Sequence, residues 1–210
     1  MRVNEKCVRN IRWDTNDELI EIMKKEIDNK EFSGIEIERK WTVDPSIVSY
    51  MQKHYKLISR LKVFQGYFEV HPSLRYVSYI DMLKGEIVYR LDYKEDGELS
   101  RREIGIPISP ETSQFALEKL KSDSRLKEFK NNDYMINKEY WIFELDENHH
   151  IEISRVDDCI TMIAEIEFSS EEDANNFEFS NDIDQFIRAD VTHDKMFYMN
   201  EYWRLTRYKQ

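Results

Sequence analysis

Glu36, Glu38 and Lys40 occupy alternate positions in the stretch Gly34-Ile35-Glu36-Ile37-Glu38-Arg39-Lys40-Trp41. Successive side chains of an extended chain point to opposite sides, so these three share one face of a strand. Two carboxylates and an ammonium on one face are costly to bury unless something neutralises them. A divalent cation and a polyanion together would do so. Glu165-Ile166-Glu167 repeats the acidic spacing late in the chain. The pattern predicts acidic pairs that hold metal, with nearby bases holding phosphate.

The remaining composition limits the function classes. A chain of 210 residues makes one large domain or two small ones, and 40% apolar content argues against disorder. The formal net charge of −11 disfavours nucleic acid and anionic membrane as partners. It also disfavours a triphosphate unless bases are gathered in one cavity and metal assists. Two cysteines, Cys7 and Cys159, suit a reducing cytoplasm and supply no zinc-type cluster. No apolar run is long enough for a membrane span, and Met1 to Arg12 is too charged for a signal peptide. The five glycines form no phosphate-cradling loop of the GxGxxG or GxxxxGK[ST] kind.

Helical spacing of Leu19, Ile22, Met23 and Ile27 predicts an amphipathic helix over 15–29. Asp44-Pro45 predicts a helix start, with the helix running to about Leu61. A third helix is expected over 111–129 and a short fourth after Ser170. Between them the period is two. Strands are expected over 86–94, 99–108, 136–145, 150–156 and 161–169, each with an apolar face and a face carrying both signs of charge. Arg90 shares a face with Lys94. Two architectures fit this alternation. One is an open antiparallel sheet, wet on its charged face. The other is a closed barrel whose charged face points inward and lines a tunnel, its apolar outside covered by helices and its edge strands removed by closure.

The ordered set of motifs resembles the CYTH superfamily, the triphosphate tunnel metalloenzymes, and within it the short bacterial tripolyphosphatase-like branch. The resemblance runs from about Ser33 to Asn200. It begins with ExExK at Glu36, Glu38 and Lys40. It continues through Gln65-Gly66-Tyr67, placed before the second strand, then Arg75, Lys94, Leu99-Ser100-Arg101-Arg102-Glu103, Lys138 and Glu152. Ala164-Glu165-Ile166-Glu167-Phe168 and Val191-Thr192-His193-Asp194-Lys195 complete it. The resemblance implies an α+β fold, a closed antiparallel eight-stranded β-barrel with helices outside. It implies an N-terminal helical extension over 1–32 and a tunnel domain over 33–210. It implies Mg²⁺ or Mn²⁺ on Glu36, Glu38, Glu165 and Glu167. Phosphate oxygens would be held by Lys40, Arg75, Arg90, Lys94, Arg101, Lys138 and Lys195, with Lys40 and Glu152 catalytic. The implied activity is metal-dependent hydrolysis of tripolyphosphate or another triphosphate. The alternatives are a class IV-type adenylyl cyclase and a weakly catalytic module that binds polyphosphate or nucleotide. Four positions depart from the family pattern: Val77, Tyr140 and Met196 stand where arginines are usual, and Ser154 stands where an acid is usual.

Several residues have plainer readings. Taken alone, each ExE pair is an ordinary solvated strand face. Glu171, Glu172 and Asp173 read as first-turn acids of a helix. His149-His150 reads as a turn, and His193 as a surface residue or a substrate contact. Cys159 reads as a filler rather than a nucleophile. Glu103 is expected to pair with a neighbouring arginine. Tyr198, Tyr202 and Trp203 are expected to pack on the barrel or close one mouth. The N-terminal helix would plug one tunnel end or form a homodimer contact.

Overall fold

A computed structural model describes residues 8–129 and 134–210, so Cys7 and the first part of the expected N-terminal extension lie outside the described residues. The strands are β1 (Ser33–Val43), β2 (Lys56–Val70), β3 (Ser73–Asp81), β4 (Ile87–Lys94), β5 (Ser100–Pro107), β6 (Ile136–Glu144), β7 (His150–Val156), β8 (Met162–Glu167) and β9 (Ile187–Asp190). They form one antiparallel sheet in the order β5-β4-β3-β2-β6-β7-β8-β1, and β1 pairs back onto β5 to close an eight-stranded barrel. β9 lies outside the ring, paired with Trp41–Val43 of β1. Closure removes the exposed strand edges that an open sheet of this size would carry. This selects the barrel over the open sheet.

The apolar positions of each strand face outward, under helices. α1 (Asn16–Lys24), α3 (Pro110–Lys121) and α6 (Met199–Arg207) cover one side. There Leu19, Met23, Ala116, Leu120 and Trp203 pack with Leu74, Tyr76, Leu91, Ile104 and Ile106 of the wall. α2 (Ile47–His54), α4 (Glu171–Asn176) and α5 (Asn181–Asp184) cover the other. There Ile47 and Met51 pack with Trp41, Phe143, Ile151, Ile153 and Ile166. α1 begins with a full capping box, Thr15 accepting from the Glu18 N–H and Glu18 reaching back to the Thr15 N–H. The helix lies against the outer wall rather than in the lumen. Gly66 lets α3 and α6 approach β2 closely, because a Cβ there would sit 2.9 Å from Leu120 and 3.2 Å from Trp203.

Two expected helices are shorter than their patterns predicted. The segment after Asp44-Pro45 ends as a helix at His54, and Tyr55 is already extended, at φ −126° and ψ 153°. Residues 56–61 belong to β2, which pairs along its length with β3 and β6. Gln65-Gly66-Tyr67 therefore lies inside β2 rather than before a strand. The third helix stops at Lys121, where Asp123 turns the chain by accepting from the Arg125 N–H. No helix among the described residues is long and apolar enough to cross a membrane.

Candidate active site

Closure brings the charged strand faces together around one cavity of about 640 Å³. All twelve residues singled out from the sequence line it: Glu36, Glu38, Lys40, Arg75, Arg90, Lys94, Arg101, Lys138, Glu152, Glu165, Glu167 and Lys195. β1 supplies Glu36, Glu38 and Lys40 from alternate positions. The chain after β9 fixes this strand: Thr192 Oγ1 accepts from the Lys40 N–H at 3.1 Å, and the Val191 N–H donates to the Lys40 carbonyl at 2.9 Å. The Tyr198 hydroxyl then ties the Thr192 carbonyl at 2.9 Å.

Ion pairs divide the lumen into groups. Lys40 Nζ bridges Glu38 at 2.6 Å and Glu165 at 2.5 Å. Burial opposes its charge, but the two carboxylates outweigh burial and hold its pKa above the ordinary lysine value. Glu36 accepts from Lys94 at 2.7 Å and from Arg101 Nε at 2.7 Å, while Arg101 also reaches Glu38 at 3.1 Å. Against the cost of burial, Lys94 and Arg101 hold the Glu36 carboxyl well below its usual range. Glu103 pairs with Lys94 at 3.1 Å and lies 3.9 Å from Arg75, so its main partner is a lysine and not the expected arginine.

Asp92, which the sequence placed on a charged face without a role, joins Arg75 at 3.1 Å to Arg90 at 3.1 Å. Its signal was the alternation Arg90-Asp92-Lys94 on one strand face. Gly105 on β5 makes room for this group: a Cβ there would fall 1.8 Å from Arg90 Nη2.

Three lumen groups stand outside this pairing. Lys138, 4% exposed, has the Tyr140 hydroxyl and ring as its side-chain contacts among the described residues, and burial lowers its pKa to about 8. Glu152 and Glu167 have no hydrogen-bond or ion-pair partner among the described residues. Burial, then the fields of Glu165, Glu167 and Glu38, pushes Glu152 up to about 8. Glu167 is pushed up to about 7 by desolvation and by Glu36 and Glu38, and it is the more open of the two to water. In the strand register Glu152 stands directly opposite Glu165, and Glu38 directly opposite Glu167. Like charges in directly opposed positions destabilise a sheet.

Lys195 is exposed at one mouth, with no side-chain partner among the described residues. His71 lines the cavity as well, between Asp96 at 3.0 Å and Glu201 at 2.5 Å. Tyr198 also lines the cavity, while Trp203 is buried on the outer wall. His193 lies at the surface, its ring 2.9 Å from Glu98. Cys159 is exposed, with Sγ 3.8 Å from the Tyr202 hydroxyl, so it fills no part of the core. His149 is held by Asp146 and Asp173 beside the β6–β7 turn, and Glu171, Glu172 and Asp173 do form the first turn of α4.

No family model matches the chain, and no curated protein does. Similar solved structures exist. The inorganic triphosphatase NE1496 aligns at 19% identity and a TM-score of 0.47, over 80% of this chain and 94% of its own. The protein PH1819 from Pyrococcus horikoshii aligns at 17% and 0.47, over 66% and 82%. A putative adenylyl cyclase from Hippeastrum, described as having a dominant triphosphatase activity, aligns at 15% and 0.42, over 67% and 82%. Likenesses of this size carry no inference here about what the chain does. The closed barrel rests on its own strand pairing, and the chemistry on its own lumen.

Proposed function

We propose that the chain is a divalent-cation-dependent triphosphatase of the triphosphate tunnel kind, hydrolysing a phosphoanhydride bond of a triphosphate held in the barrel. One observation carries the reading. Two pairs of glutamates, Glu38 with Glu167 and Glu152 with Glu165, face each other on neighbouring strands in a cavity lined also by seven lysines and arginines. Sheet stability alone disfavours such pairs, whereas a bound hard cation removes the repulsion.

The donor set suits Mg²⁺ or Mn²⁺, which prefer carboxylate oxygen. Among the described residues no three acidic, His or Cys side chains converge at metal-ligand spacing, because Lys40 lies between Glu38 and Glu165. Glu38, Glu165 and Glu167 would hold the cation, with Lys40 turning towards phosphate. Glu36 is held by Lys94 and Arg101 and is the least available of the four acids. A cation bound there supplies charge neutralisation and polarises a phosphoryl oxygen. It also answers a charge problem: eleven aspartates and glutamates line the cavity against seven lysines and arginines, so a polyanion entering alone meets no net positive field.

The chain's own groups supply the rest. Lys40, Arg75, Lys94, Arg101 and Lys138 give fixed donors for the phosphate oxygens and for charge developing on the leaving group. Arg90 buttresses Arg75 through Asp92, and Lys195 meets the anion at the mouth. Glu152, poised near neutrality, is suited to take a proton from the attacking water. The water oxygen bonds to the terminal phosphorus, the bridging P–O bond breaks, and its electron pair leaves with the diphosphate portion. The cysteine usage favours a cytoplasmic setting.

The test measures orthophosphate release from tripolyphosphate and from nucleoside triphosphates, with Mg²⁺ and with Mn²⁺. Release should need the metal and fall at least about 100-fold in Glu38→Ala, as loss of a buried charged contact implies. A cyclic nucleotide as the product points instead to a cyclase. Binding without turnover, across all substrates and both metals, would overturn the hydrolase reading.

A further inference from the structure

The lumen is not charged all the way round. Leu61 and Val63 of β2, Val77 and Tyr79 of β3, and Tyr140 of β6 line the same cavity as the bases. The strand register makes them contiguous: Leu61 is opposite Tyr140, Val63 opposite Tyr79, and Gln65 opposite Val77. In the closed order of eight strands, β2 is four steps from β1 in either direction. The arc β3-β2-β6, on which these five side chains are interrupted by Arg75 at one end and by Lys138 opposite Val63, therefore faces the strand that carries Glu36, Glu38 and Lys40 across the lumen. These side chains are not spare core, because the apolar contacts under the helices use the other strand faces.

An inorganic polyphosphate has no use for such a wall. A phosphate oxygen placed against Leu61, Val63 or Val77 loses water and gains no donor. A planar ring gains from it twice, by burial against Leu61, Val63 and Val77 and by stacking on Tyr79 or Tyr140. The cavity volume of about 640 Å³ falls within the range of sites for organic ligands, roughly 300–1,000 Å³. Two of the five wall residues, Val77 and Tyr140, are also two of the three positions where the sequence departs from the arginines of the resembled family. At these two positions the wall presents an isopropyl group and a phenol ring to the cavity.

We infer that the substrate is an organic triphosphate bearing an aromatic ring, with the ring against Leu61, Val63, Val77, Tyr79 and Tyr140 and the phosphates on the β1, β4 and β5 side, within reach of Arg75 and Lys138 at the edges of the ring wall. The inference rests on the triphosphatase reading and narrows its substrate class.

The experiment compares kcat/KM of the full chain for tripolyphosphate with values for ATP, GTP, CTP and UTP, under one saturating Mn²⁺ concentration. At least one nucleoside triphosphate should exceed tripolyphosphate by about tenfold or more, the size of one ring stacked on an aromatic side chain. Tyr79→Ala and Leu61→Ala should lower that ratio mainly by raising KM for the nucleotide. Val77→Arg, which restores a donor, should shift the ratio towards tripolyphosphate. If tripolyphosphate equals or beats every nucleotide while Glu38→Ala abolishes the activity, the ring-wall inference fails and the triphosphatase reading stands. If nothing turns over, the hydrolase reading fails. Calorimetry then compares ATP with tripolyphosphate, and tighter binding of tripolyphosphate overturns the inference. A ratio unmoved by all three variants overturns it too.

Discussion

Asp92 is 2% exposed and joins two guanidinium groups, and against the cost of burial its charge is held chiefly by Arg90 and Arg75, with Lys94 beyond them. Replacing it by asparagine leaves two cations side by side in a buried wall. Breaking a buried pair in this way costs about 3–5 kcal/mol. Chemical denaturation of Asp92→Asn should show a loss of that order, and a loss under about 1 kcal/mol would mean water already screens the cluster. Gly105→Ala probes the same group more gently. The new Cβ meets the far end of Arg90, a flexible side chain, so the fold should survive while the guanidinium swings away from Asp92. Its melting temperature should stay within a few degrees, with KM raised for any anionic substrate. At this scale the sequence was informative about which residues meet. The alternation Glu36-Glu38-Lys40, Arg90-Asp92-Lys94 and Glu165-Ile166-Glu167 marks one face per strand. It was silent about which charges pair, because pairing depends on neighbouring strands and their register. That is why Glu103 meets Lys94 first and why Asp92 had no assigned role.

α6 docks on the barrel through few but large contacts. Trp203 is fully buried against Tyr67 and stands over Gly66. Asp157 adds a polar anchor, accepting from Tyr202 at 2.8 Å and from Arg207 at 2.7 Å, while also accepting from the Asn137 N–H of β6 at 2.9 Å. Asp157 adopts φ 46°, a left-handed conformation that aspartate tolerates better than most residues. Trp203→Ala should cost about 3–5 kcal/mol, as aromatic truncations in packed cores do. Gly66→Val should approach that loss from the opposite cause, overpacking. Both are measured by thermal unfolding. If Trp203→Ala costs little, α6 is not a structural part of the wall. Element type was legible wherever one period ran uninterrupted, as in 86–94 or 150–156. It failed where periods abutted. Val48, Met51, Tyr55 and Ile58 continue a helical spacing across the point where the backbone turns extended, and pairing with β6 from Lys56 onward decides the boundary at Tyr55. Propensity carried no signal of that tertiary contest.

Ring closure decides the properties of the whole molecule, and strand alternation alone did not reveal it, since an open sheet shows the same period. Closure puts Glu152 and Glu167 where their charges are costly, with pKa values near 8 and 7. An unfolded glutamate titrates near 4.3. From about pH 4.5 to 8 the folded chain therefore retains protons that the unfolded chain has already released. Stability falls with pH wherever the native state binds more protons, so the metal-free barrel should weaken across this window. Below it the slope reverses, because Glu165, held down at about 2 chiefly by Lys40 against the cost of burial, is stabilising only once ionised. Above it Lys138, lowered to about 8, opposes the fall: the unfolded chain then binds the extra proton, and stability rises with pH. His71 and His149 are both raised by neighbouring carboxylates and lose stabilisation over part of the same window, so a wild-type curve cannot apportion the effect. Glu152→Gln can, because it removes the more enclosed of the two raised acids and leaves both histidines intact. In EDTA the melting temperature should decline from about pH 5.5 to 8, and Glu152→Gln should reduce the slope throughout and most completely above about pH 7, where Glu167 has ionised. Mn²⁺ binds the ionised carboxylates, so it should restore more stability at pH 8 than at pH 6, by about 2.7 kcal/mol when present at 100 times its dissociation constant. A metal-free curve that rises steadily to pH 8, or a Mn²⁺ effect independent of pH, would mean that the opposed glutamates in the lumen do not repel and that no cation is needed to hold them together.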